Sequence, residues 1–226
     1  KPIILMHIGS AGSNFAKWNK ISSNSILVSI DGNDSSLKIK NKFLKVINEN
    51  VFISNKNSIS KFYVTKDPDC SSLLEPNKKV YENWYGAHRF RVKKKIKVRT
   101  VEINDFLTKK KIKYIDWFVI DVQGMDLKIL KKLKNKIKNK ITIIDIEPGF
   151  DFFYKKADTL SEVFEYMNKY FKFSDMTFGY NHIVKSENLS LFEKKILFHT
   201  NTPSKIYSNI NYVNKVKNNR TILIEL

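Results

Sequence analysis

The chain has 226 residues, 42% of them hydrophobic and 13% aromatic, and a formal net charge of +19. That is enough apolar material for one sizeable core, which excludes a disordered chain, and no apolar run reaches the ~18 residues of a membrane helix. A single cysteine, Cys70, excludes an internal disulfide framework and a thiolate-rich zinc site, and points to a reducing cytoplasm.

The charge comes from 37 Lys and only 4 Arg, beside 23 Asn and 27 Ile. Lys, Asn and Ile share codons rich in A and T, so a biased genome raises all three together. Recognition of phosphates and bases favours Arg, whose planar fork binds both in bidentate fashion. The excess is therefore read as compositional, and nucleic acid is not the expected partner. Lys1 and Pro2 lead straight into an apolar run without a cleavage site, so no signal peptide is expected.

The first predicted element is a buried strand over Ile3–Ile8, closed by the turn Gly9-Ser10-Ala11-Gly12. A short helix starts at Phe15–Trp18. A second buried strand, Ile26–Ile30, ends at Asp31. Leu37 to Val46 places apolar residues between lysines at a helical spacing and predicts an amphipathic helix. Val51–Ile53 reads as the third strand and Ser60–Thr65 as a fourth. Residues 66 to 95 carry no clean period and hold Trp84, Tyr85, His88 and two arginines, as a binding loop does.

A strand over Lys97–Val101 then leads to a helix start at Asn104-Asp105. Asp116–Asp121 is a further buried strand, followed by Val122-Gln123-Gly124 and a helix with Leu127, Leu130, Leu133 and Ile137 on one face. Its lysines form the solvated face rather than a nucleic-acid surface. Ile141–Glu147 is the next strand and Leu160–Phe171 the next helix, with strands expected near Phe173-Ser174, Ile196–Phe198 and Ile222–Leu226. Strands alternating with helices, and continuous apolar runs in the core strands, predict one doubly wound, Rossmann-like α/β domain over residues 1–226.

In such sheets ligands bind beyond the carboxyl ends of the strands. After the first strand stands the glycine turn, where the backbone can pass close to a ligand and an anion can meet free N–H groups. After the second stands Asp31, a carboxylate that can accept from two ribose hydroxyls. After the third come Ser54 and Asn55, polar groups suited to an adenine edge. Later strands end at Asp121 and Glu147. Each signal alone is an ordinary turn or cap, and Asp121 could cap the helix near Met125. The ordered set is the layout for an adenosine cofactor, and the absence of Gly-x-Gly-x-x-Gly argues against a nicotinamide dinucleotide. No His/Asp cluster has metal-ligand spacing and no metal ligand is assigned, which leaves open a Mg²⁺ held by carboxylates alone. Cys70-Ser71-Ser72 has no partner His at a recognisable spacing and is not read as a nucleophile site.

The chain resembles the FkbM-type methyltransferases. The match runs through Met6–Gly12, Ser29–Asp31, Phe62–Thr65, Asp69–Leu73, Val101–Leu107 and, most specifically, Ile115–Leu130 with its Asp121-Val122-Gln123-Gly124 turn and leucine-rich helix. His7 stands where many members have an acid, and Val119 where many have Lys. The resemblance implies a class I methyltransferase sheet, mostly parallel with an antiparallel edge strand, and S-adenosyl-L-methionine as cofactor. It places His7, Gly9, Ser10, Gly12 and Asn14 around the methionine half, Asp31 at the ribose, Ser54 and Asn55 at the adenine, and Asp121 and Gln123 at the methyl. Residues 66–95 and 176–226 become the substrate side.

The implied reaction is transfer of a methyl group to a hydroxyl of a small-molecule or glycan acceptor. It needs the reacting atoms held in line and a base for the hydroxyl proton. Asp121 is the first choice for that base, then Glu147, then His88. His182 and His199 receive no role. An RNA-directed methyltransferase and a non-catalytic binding module on the same fold are the alternatives. Neither the acceptor nor the oligomeric state is set by these residues.

Overall fold

The computed structural model describes residues 1–32, 42–149, 152–178 and 208–214. Its strands are β1 (Ile3–Ile8), β2 (Ser25–Asp31), β3 (Lys45–Asn50), β4 (Phe52–Ser54), β5 (Ser58–Thr65), β6 (Val92–Glu102), β7 (Trp117–Ile120), β8 (Ile143–Ile146), β9 (Phe171–Phe178) and β10 (Ser208–Asn214). The helices are α1 (Lys78–Tyr81), α2 (Ile103–Lys109), α3 (Asp126–Lys132), α4 (Asn135–Lys138) and α5 (Leu160–Met167). Among the described residues, seven strands form one sheet in the order β3-β2-β1-β7-β8-β10-β9. The first five are mutually parallel; β10 runs antiparallel to β8 and β9 and sits one place in from the edge. This is a Rossmann-like α/β fold.

Alternation along β1 divides the core. Ile4, Met6 and Ile8 face the main cluster with Phe106 and Leu107 of α2, Leu127 and Leu130 of α3, and Val163 and Met167 of α5. Leu5 packs on the other side with Phe15, Trp18, Leu27, Trp117 and Val119. Burying β1 on both faces requires the continuous apolar run that its sequence shows. At its start, Asp116 is 3% exposed and its Oδ2 accepts from the Ile4 N–H at 2.8 Å, which ties β1 to the entrance of β7.

The structure corrects several elements. The third strand of the sheet is β3, not Val51–Ile53; β3 claims Lys45 and Val46 from the expected helix, whose residues 37–41 lie outside the described ones. As an edge strand with a half-exposed pattern, its sequence Lys-Val-Ile-Asn-Glu-Asn carries no apolar run. Phe52–Ser54 and the expected fourth strand belong instead to a second sheet, ordered β4-β6-β5, with β4 parallel and β5 antiparallel to β6. β6 begins at Val92, inside the segment expected to be irregular.

The long helix expected after Met125 is two helices. Asn104 divides them: its Nδ2 donates to the Lys132 carbonyl at 2.8 Å and its Oδ1 accepts from the Lys134 N–H at 3.0 Å, so the chain turns at Leu133. α5 stops at Met167, and Phe171 opens β9. The strands expected at Ile196–Phe198 and Ile222–Leu226, like His182 and His199, lie outside the described residues. No helix among the described residues is long and apolar enough to cross a membrane.

Candidate active site

At the carboxyl ends of β1, β2 and β7 lies a cleft of about 380 Å³. One wall is the turn after β1. Gly9 has φ +80°, and a Cβ there would stand 1.6 Å from the Asp121 carbonyl oxygen, so no other residue fits this approach of β1 to β7. The Gly9 N–H donates to the Ile30 carbonyl at 2.9 Å, and the Ala11 N–H donates to Asp31 Oδ2 at 2.9 Å. Asp31 thus closes the turn from the end of β2 and lines the cleft beside it. Val51, Phe52 and Ile53 with Phe62 and Leu73 make the apolar side.

The opposite wall comes from residues 68–72, Arg89, Phe90, Phe153 and Tyr154. Phe90 stacks on Tyr81 and Phe153 with ring centroids 5.7 and 5.1 Å apart. The Asn77 N–H donates to the Phe153 carbonyl at 2.7 Å, which fastens this aromatic layer to the loop that follows β8. Arg89 Nε donates to Asp67 Oδ2 at 2.5 Å.

The floor carries the titratable groups. Asp121 follows β7 and Glu147 follows β8, adjacent parallel strands, and the two carboxyls are hydrogen-bonded to each other. Burial is the largest influence on both and raises both above the usual carboxylate range. Glu147 is raised well above it because the negative charge of Asp121 adds to burial, so Glu147 keeps the proton and donates it to Asp121. That hydrogen bond, the one from Gln123 Nε2 at 2.8 Å, and the nearby Lys17 ammonium pull Asp121 the other way.

Gln123 is itself fixed. Its backbone is left-handed at φ 58°, its carbonyl accepts from Ser72 Oγ at 2.9 Å, and its Oε1 accepts from the Tyr154 hydroxyl at 2.9 Å. Tyr154 therefore sets the amide so that its nitrogen faces Asp121. The turn's own backbone is held by Asp126, whose two oxygens each accept at 3.0 Å, from the Val122 and Gly124 N–H groups. Asp126 does the capping work that the sequence left open for Asp121. Burial and the neighbouring Asp121 charge push Asp126 up to about 8.

The structure brings Gly9, Asp31, Asp121, Gln123 and Glu147 into one cleft and sets other expected residues elsewhere. Ser10 is fully buried beneath the turn and accepts from Ser29 Oγ at 2.7 Å. Gly12, with φ +71°, lies outside the cleft lining. Ser54 is buried behind the cleft and donates to Asn55 at 3.3 Å; the apolar triplet just before it faces the cavity instead. His88 is exposed, while the adjoining Arg89 and Phe90 face inward.

His7 and Asn14 line a second cavity of about 210 Å³ that shares only Asp121 and Glu147 with the cleft. Burial, then the Lys17 charge, lowers His7 to about 3, so it is a neutral imidazole. Lys17 is bound to Asp145 Oδ2 at 2.6 Å in the same cavity. Sequence reasoning passed over Lys17, Arg89 and Tyr154. The aromatic run Phe150–Tyr154 after Glu147-Pro148-Gly149 was the available signal for Tyr154. Among the described residues no group of three His, Cys, Asp or Glu side chains is arranged to hold a metal ion.

The family model of the methyltransferase FkbM domain matches residues 6–178. No curated protein and no solved structure matches the chain.

Proposed function

Because this chain belongs to the FkbM methyltransferase family, we propose that it is an S-adenosylmethionine-dependent O-methyltransferase acting on a hydroxyl of a small-molecule or glycan acceptor in the cytoplasm. The observation that carries the reading is the hydrogen-bonded carboxyl pair Asp121 and Glu147 on the floor of a cleft of cofactor size. The cleft suits the donor at each end. Gly9 lines the cleft where the methionine half would lie, Asp31 offers an acceptor for ribose hydroxyls, and Val51, Phe52 and Ile53 offer an apolar slot for a purine. When bound, the donor supplies an electrophilic methyl on a sulfonium leaving group.

The chain's own residues supply positioning and a base. Asp121 accepts the proton of the acceptor hydroxyl as its oxygen becomes nucleophilic. Glu147, already protonated, holds Asp121 in place by donating to it, and Gln123 fixes the other side of the same carboxylate. Tyr154 and Ser72 lock Gln123, so the base has one orientation. Calorimetry with S-adenosylhomocysteine tests the reading. Saturable binding with a raised melting temperature is expected. Absence of both at millimolar ligand removes the donor and with it the methyltransferase activity.

A further inference from the structure

The second sheet gathers cations that the sequence keeps apart. Residues 58–66 and 91–99 pair as β5 and the first part of β6, and together contain Lys61, Lys66, Arg91, Lys93, Lys94, Lys95, Lys97 and Arg99 with no acidic residue. All eight are exposed. The register sets Lys61 opposite Lys97, Tyr63 opposite Lys95 and Ile59 opposite Arg99. Cross-strand partners share a face, so Ile59, Lys61, Tyr63, Lys95, Lys97 and Arg99 lie on one side of the ribbon.

Like charges placed directly across a ladder destabilise it, so Lys61 and Lys97 weaken the pair of strands they stand on. Glu75 feels the charges of Lys95 and Lys61, but its carboxylate is already hydrogen-bonded to Lys155 at 3.0 Å. On the same face Ile59 is 72% exposed, more than any other large hydrophobic side chain described. A flat basic face with a protruding aliphatic residue is the combination that binds an anionic bilayer, with lysine heads at the phosphates and the apolar side chain among the headgroups. Nucleic acid would be better served by Arg forks and free stacking rings, whereas Tyr63 has the Lys95 ammonium 5.4 Å from its ring centroid.

We propose that this face of the β5–β6 ribbon docks on an anionic phospholipid surface. Phe62, which alternates with Lys61 and Tyr63 along β5, lines the cleft from the other face. Docking therefore sets the ribbon between the lipid surface and the cleft.

Vesicle sedimentation with the whole chain tests this. Binding is expected to phosphatidylcholine vesicles carrying about 30% phosphatidylserine and not to phosphatidylcholine alone, and to weaken steeply as salt rises. The triple variant Lys61→Gln, Lys95→Gln, Lys97→Gln should lose affinity on the order of 100-fold, from the usual contribution of each lysine at such a surface. Ile59→Ser should lose roughly 10-fold. Melting temperatures no lower than the parent's would show that the variants fold.

No binding to the anionic vesicles at low salt overturns the proposal. So does tighter binding of a uridine oligonucleotide that is indifferent to Ile59→Ser, which would assign the face to nucleic acid. S-adenosylhomocysteine binding should be the same in all variants, which keeps this outcome separate from the catalytic reading.

Discussion

Asp121 and Glu147 are hydrogen-bonded to each other, and two near-isosteric substitutions give opposite expectations. Asp121→Asn keeps the shape of the side chain and its place beside Gln123 but cannot accept a proton. Loss of a positioned base lowers turnover by about 100-fold to 10,000-fold, or roughly 3 to 5.5 kcal/mol of transition-state stabilisation. Glu147→Gln replaces a carboxyl that is already protonated with an amide that still donates to Asp121. Its turnover should stay within about 10-fold of the parent, because the donor is kept and no base is removed. Stability should be nearly unchanged in Asp121→Asn, since the N–H groups of the turn are satisfied by Asp126 and not by Asp121.

The assay is methyl transfer measured as release of S-adenosylhomocysteine, with binding of that product followed by calorimetry. In the parent, activity should rise with pH through a limb displaced above the ordinary carboxylate range, because burial raises Asp121 and the base works only when ionised. An Asp121→Asn protein that turns over within threefold of the parent would remove base catalysis. Equal losses in both variants would mean that the pair acts as one unit, with no division into base and donor.

The same geometry sets three further outcomes. Asp31→Ala deletes a carboxylate that lines the cleft and accepts from the Ala11 N–H, and should weaken S-adenosylhomocysteine by about 10-fold to 150-fold in calorimetry; an unchanged dissociation constant would make Asp31 a turn residue only. Gly9→Ala drives a Cβ into the Asp121 carbonyl at a left-handed φ and should cost roughly 3 kcal/mol, seen as a melting temperature about 6–12 °C lower, and a melt equal to the parent's would contradict the contact.

The third concerns pH. Asp121, Asp126 and Glu147 all bind protons more tightly folded than unfolded, with Asp126 pushed up to about 8. The Asp126 share is complete below about pH 4 and is lost as pH rises through about 8, while His7, lowered to about 3, works in the opposite sense up to about pH 6.5. Urea midpoints should therefore fall between about pH 6.5 and 8 and fall less steeply in Asp126→Asn. The same slope in Asp126→Asn as in the parent over that window would show that Asp126 is not raised.

Legibility in the sequence tracked burial. β1, β2, β7 and β8 occupy the middle of the sheet, where both faces are covered, and their mostly apolar runs announced them. The glycine turn and the carboxylates that end these strands were legible for the same reason, because a strand whose end is known identifies the residues just beyond it. Long-range side-chain bonds left no such trace. The break at Leu133 depends on Asn104, about thirty residues earlier, and the orientation of Gln123 depends on Tyr154, about thirty later. β6 was half hidden because its first residues are nearly all exposed and rich in Lys, a poor strand former, and it exists by pairing with β5.

One misplacement propagated into the site. Edge strand β3 is half exposed and reads Lys-Val-Ile-Asn-Glu-Asn, so the next apolar stretch, Val51–Ile53, stood in for it, and Ser54 and Asn55 became the residues beyond the strand. In the structure β3 ends at Asn50, and the residues beyond it are Val51, Phe52 and Ile53. The rule that ligands meet the residues just past a parallel strand was applied one strand too late. Applied to β3, it replaces a polar pair with an apolar slot, and the chemistry changes with it. Under the proposed function, a purine lying against Phe52 and its neighbours would be bound by desolvation and ring contact rather than by hydrogen bonds at its edge. Gly32 belongs to that slot: a Cβ there would stand 2.2 Å from the Phe52 ring, so the ring lies directly over the backbone next to Asp31. Asp31 and the aromatic wall are thus adjacent because β2 and β4 meet there, a juxtaposition that only the true third strand makes visible.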